Sequence, residues 1–67
     1  MKPLITTVNK RYQIREYNTM LQSAHIPAAF DRQEDATEYA KWRREHVRDF
    51  VQITIIDRDT RAIVFTA

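Results

Sequence analysis

The sequence predicts a small α+β protein: a mostly antiparallel sheet of about four strands, in the order ββαββ, with one α-helix packed on one face. Three observations carry this. Two β-branched runs, Val51–Ile56 and Ala62–Phe65, flank the polar stretch Asp57-Arg58-Asp59-Thr60, which is the pattern of a hairpin. A stretch near residues 32–48 places apolar side chains at helical spacing. In residues 11–17, Tyr12 and Ile14 alternate with Gln13 and Arg15, the period of a half-buried strand.

The elements follow in order. Leu4–Val8 is β-branched, and it is expected as a short strand of its own or as an extension of the next, with Asn9-Lys10 turning between them. After the strand at 11–17, residues 18–24 are expected as an irregular connection. His25–Phe30 is a short extended segment. Pro27 removes a backbone donor and restricts that segment to a sheet edge or to no strand at all. Asp31 with Glu34 three residues later resembles a capping box, and Phe30 is placed as the hydrophobic staple before it. The helix then presents Ala36, Tyr39, Ala40 and Val47, joined by Phe50 if it runs on. In the C-terminal hairpin, Val51, Ile53, Ile55, Ile63 and Phe65 are expected to face the helix, leaving Thr54, Ile56, Ala62 and Val64 outward.

One domain spanning 1–67 is the most that 67 residues support, since a chain of this size buries only about 60% of its unfolded surface. There is no cysteine, which excludes disulfides and thiolate metal sites. There is no glycine, which excludes phosphate-binding loops and dinucleotide fingerprints. The net charge of +2 excludes an acidic nucleic-acid mimic, and alone it does not indicate a nucleic-acid binder. No stretch has the form of a signal peptide or a membrane span, so a cytoplasmic protein without a membrane partner is expected.

No enzyme constellation stands out. Ser23 is the only serine, and Ser23 and His25 lack a third member. Asp57 and Asp59 fit a turn better than an acid–base pair. His25 and His46 have no set of converging ligands, so neither metal nor cofactor is expected. The protein is therefore expected not to be an enzyme.

Three surfaces remain. The helix carries Lys41, Arg44 and Arg48 on one flank and Glu34, Glu38, Glu45 and Asp49 on the next. Read plainly, this is a solvated helix laced with pairs such as Lys41–Glu45. Read functionally, it is a phosphate-binding flank, joined by Arg58 and Arg61 at the hairpin, with Trp42 stacking on a base. Trp42 lies about 100° from the apolar stripe, at the border of the core, which suits a lid over the sheet edge or a partner anchor. Arg43 falls inside the stripe and is expected to snorkel, with an interface arginine as the alternative. The third surface is the outward sheet face, flat and weakly polar: either the N-terminal strand or Leu21 folds over it, or it serves dimerisation or a partner.

The segment Phe30–Ala40 resembles the strand-to-helix entry of arm-type DNA-binding domains of tyrosine recombinases, which place three strands before the helix. In size and class the chain is similar to phage and mobile-element accessory proteins. The expected function is a non-enzymatic protein-binding regulator or inhibitor, acting on a host protein in the manner of that class. Trp42, Arg43, Thr54, Ile56 and Val64 are its candidate contacts. The alternative is a nucleic-acid-binding regulator using Lys41, Arg44, Arg48, Arg58 and Arg61.

Overall fold

A computed structural model describes residues 10–67, so the Leu4–Val8 strand expected above lies outside the described residues. Four strands, β1 (Tyr12–Asn18), β2 (Ser23–Phe30), β3 (Val51–Asp57) and β4 (Ala62–Thr66), and one helix, α1 (Gln33–Arg44), follow the order ββαββ. All neighbouring strands are antiparallel, and the sheet order is β2-β1-β3-β4. The two strands that follow the helix set this arrangement apart from the recombinase arm domains. The first strand of the described chain is thus internal, and α1 crosses from the edge strand β2 over β1 to β3.

The register sorts side chains onto two faces. On the helix side, Ile14 stands beside Ile55 and Ala28, and Ile55 beside Phe65. Ile14, Ile53 and Ile55 are fully buried against Ala36 and Ala40 of α1. Two alanines at the contact let the helix axis approach the sheet closely. Tyr39 packs on Phe30, with ring centroids 5.5 Å apart. Three β-branched side chains at the centre of a pleated surface suit strand backbone and core together.

Both outer strands carry a bulge. In β2, Ile26 and Pro27 together oppose Arg15, between the pairs Ile14–Ala28 and Glu16–His25. The proline therefore sits at an edge and in a bulge, where a missing N–H breaks no ladder. In β4, Val64 is the extra residue between the pairs Ile55–Phe65 and Ile56–Ile63. This reverses two expected orientations. Val64 packs against the core, while Ile63 stands beside Ile56 on the outer face and is 62% exposed. Ala62 pairs with Asp57, a helix-side position, and so is not outward either.

The helix is shorter than its pattern. Arg32 is the residue before it, no side chain caps it, and Arg32 reaches forward to Glu34 at 2.8 Å. Asp31 pairs with Lys10 instead of capping. At the far end the Arg44 guanidinium donates to the carbonyls of Arg48 and Val51, both at 2.7 Å. That clamp holds residues 45–50 as a turn and feeds β3, so the apolar period through Val47 continues in sequence but not as helix.

With no glycine available, Gln22 and Arg61 take the positive φ that the two hairpin turns demand, 55° and 64°. Polar side chains steady both turns. Asn18 Oδ1 accepts from the N–H groups of Met20 and Leu21 at 3.0 Å. Asp57 Oδ1 accepts from the Asp59 N–H at 3.0 Å.

Candidate functional site

The face of the sheet turned away from α1 carries no second layer among the described residues. Three rows of side chains cross it. Ala29, Gln13, Ile56 and Ile63 form one, Arg15, Thr54 and Thr66 the next, and Ala24, Tyr17 and Gln52 the third. Arg15 is the one charged residue among these positions. Its guanidinium lies over the Tyr17 ring, 5.4 Å from the centroid. Beside it the β2 bulge opens a shallow concavity of about 370 Å³ lined by Arg15, Ala24, His25 and Ile26.

The helix side of the same region holds a buried carboxylate with its partners. Glu16 follows Tyr12 and Ile14 in the inward row of β1 and is 2% exposed. Arg43 of α1 donates through Nε to Oε2 at 2.5 Å and through Nη2 to Oε1 at 3.3 Å. His25 brings Nε2 to 3.4 Å from Oε1. A carboxylate this dry is tolerated only when paired and hydrogen-bonded. The hydrogen bond to Glu16 also raises the Arg43 pKa, against the opposing effect of burial. Arg43 therefore does not reach past the sheet edge as a free snorkel. Its stem crosses the apolar stripe and its head ties helix to sheet.

A second pair lies at the other end of the sheet. Arg11 donates through Nε and Nη2 to the two carboxylate oxygens of Asp57, at 3.0 and 2.9 Å. That hydrogen bond holds the Asp57 carboxyl below the usual carboxylate range. Burial opposes it, and the backbone N–H of Asp59 adds to it.

The remaining candidates are dispersed. Trp42 is 50% exposed, with its ring 4.3 Å from His46 and 5.9 Å from Tyr39. It lies on the helix, on the opposite side of the sheet from Thr54 and Ile56, so the five expected partner contacts do not form one surface. The basic set is divided as well. Lys41 and Arg48 are exposed near the C-terminal end of α1, where β3 begins, and Arg44 is committed to backbone carbonyls. Arg58 and Arg61 lie where β3 ends. Seven residues of strand separate the groups by roughly 20 Å. Lys41–Glu45 is not among the ion pairs of the described residues.

Sequence reasoning singled out neither Arg15 nor Glu16. Their signals were present: Arg15 sits at an outward position of β1, and Glu16 is a charge in an inward row. Leu21 does not fold over the sheet: it and Met20 stand exposed at the β1–β2 turn, Leu21 at 74%.

Among the described residues, no three His, Asp or Glu side chains converge as a metal site requires, and no helix is long and apolar enough to cross a membrane. No family model, curated protein or solved structure matches the chain.

Proposed function

We propose that this is a non-enzymatic protein-binding regulator or inhibitor, working in the cytoplasm, that docks its partner on the outer face of the sheet. The observation that carries the reading is Ile63. A β-branched apolar side chain, 62% exposed, stands beside Ile56 on a face whose strand positions carry one charge, Arg15, among the described residues. Contiguous exposed apolar surface rimmed by polar residues marks interaction sites on small domains, and Ile56 and Ile63 adjoin here. Thr54 and Ile56 remain the contacts of choice, and Ile63 takes the place that Val64 leaves by turning into the core.

The nucleic-acid alternative draws less support. Phosphate-driven binding gains from several cations on one track, whereas here two groups sit at opposite ends of the sheet and Arg44 is already bonded.

The test is capture from source-cell lysate by the tagged protein, with and without nuclease. Capture of a defined protein that survives nuclease, is lost in Thr54→Arg and Ile63→Arg, and persists in Lys41→Gln/Arg48→Gln supports the proposal. Capture that follows the Lys41/Arg48 variant, or that disappears with nuclease, refutes it.

A further inference from the structure

Resting on the outer-face reading above, we infer that the notch at the β1–β2 bulge is a socket for an acidic side chain of the partner. Arg15 receives the Asp or Glu carboxylate, and Ile26 and Ala24 contact the apolar residue next to it.

The argument begins with what the other arginines do. Arg11, Arg32 and Arg43 each hold a carboxylate, and Arg44 holds two carbonyls. Arg48 and Arg61 stand exposed on turns, where water solvates them. Arg15 differs from both groups. It is half-buried within the sheet face, and none of the described carboxylates pairs with it. Its contact among the described residues is the Tyr17 ring. A guanidinium held over an aromatic ring loses some of its freedom beforehand, so less entropy is lost when it forms hydrogen bonds to a carboxylate.

The bulge supplies the space. Because Ile26 and Pro27 together oppose Arg15, the edge strand bows there and leaves the concavity of about 370 Å³. His25 lines its rim, but its Nε2 is already directed at Glu16, so Arg15 is the group left to meet an anion.

The surroundings define the ligand. Among the described residues this is one cation in a neutral patch, which matches one negative charge carried beside apolar surface. A polyphosphate would leave most of its charge unmatched. Covering the patch with a partner removes water and strengthens the single ion pair, which fixes register across an otherwise featureless face.

The experiment pans a displayed library of random peptides against the full-length protein. Enriched peptides are then synthesised and their affinities measured on variants, each first shown by circular dichroism to be folded. The expected peptides carry Asp or Glu beside an aliphatic or aromatic residue. Arg15→Gln weakens them about tenfold or more, the loss that goes with removing hydrogen bonds to a charged group. Arg15→Lys, which keeps the charge but not the fork, falls between, and Lys41→Gln stays within about twofold.

Four results overturn the socket: no enrichment, enriched peptides without an acid, an Arg15→Gln effect under about twofold, or equal losses in Arg15→Gln and Lys41→Gln. The outer-face reading is separable. Loss of lysate capture in Thr54→Arg with Arg15→Gln unaffected keeps the face and overturns the socket. Loss of peptide in Arg15→Gln with lysate capture intact in Thr54→Arg and Ile63→Arg keeps the socket and removes the face.

Discussion

Replacing Arg43 with leucine leaves the Glu16 carboxylate, 2% exposed, with only His25 beside it. Removing one partner of a buried ion pair costs about 3–5 kcal/mol. The Arg43 side chain is 30% exposed, so water can enter the vacated volume, and the lower figure of about 2–3 kcal/mol applies. A domain of this size has roughly 3–10 kcal/mol of stability in all. The expected fall in Tm is about 10–20 °C, since each kcal/mol shifts a small domain by about 4–8 °C. The double variant Glu16→Leu/Arg43→Leu recovers most of the loss, because an apolar pair needs no charge compensation. Thermal unfolding and urea titration of the two single variants and the double, followed by circular dichroism, complete the cycle. A loss under about 0.5 kcal/mol in Arg43→Leu, or a double variant no more stable than that single one, refutes the view of the pair as a buried tie between helix and sheet.

Three further outcomes are expected. The folded state holds the Asp57 pKa below its ordinary value of 3.8, so its contribution to stability is present above that pH and fades as pH falls through the depressed value. The stability difference between wild type and Asp57→Asn, followed by urea titration from pH 7 to 2, therefore shrinks only at the acid end, and a difference independent of pH contradicts the assignment. Ile55→Ala removes a fully buried side chain packed between Ile14 and Phe65 and costs about 2–5 kcal/mol in urea unfolding, whereas Ile63→Ala stays within about 0.5 kcal/mol. Arg61→Gly relieves a φ of 64° and raises stability by about 0.5–1 kcal/mol despite the freer unfolded chain, an effect calorimetry resolves.

The architecture was legible because its elements carry different periods: alternation at Tyr12–Arg15, helical spacing from Ala36, and two β-branched runs split by a polar turn. Orientation within β4 was not. Ala62-Ile63-Val64-Phe65 is apolar throughout, so nothing in its pattern marks which residue slips into a bulge, and one extra residue exchanges the faces of Ile63 and Val64. The helix end escaped for a related reason. Val47 continues the apolar period, while the Arg44 clamp depends on where Val51 lies in space. The Glu16–Arg43 pair was half visible. Arg43 stands out as a charge within an apolar stripe, and Glu16 breaks the inward row of β1 in the same way. Two such misfits of opposite sign are the sequence signature of a buried pair. The notch at Arg15 depends on the Pro27 bulge, whose position the edge preference of proline allows but does not specify.

The sheet order has a consequence for how the chain folds and comes apart. β1 is made before its neighbours yet lies between them, joined to β2 by a short turn and to β3 only after α1 has been made. The β1–β2 hairpin can close on the microsecond scale. The partners of Ile14 and Glu16 among the described residues, Ile55, Ala40 and Arg43, are made only later. Among the described residues neither half closes a core alone: the first lacks the helix over its apolar row, and the second lacks the strand its helix must cross. Cleavage between α1 and β3 should therefore abolish cooperative unfolding altogether, not leave a smaller domain behind.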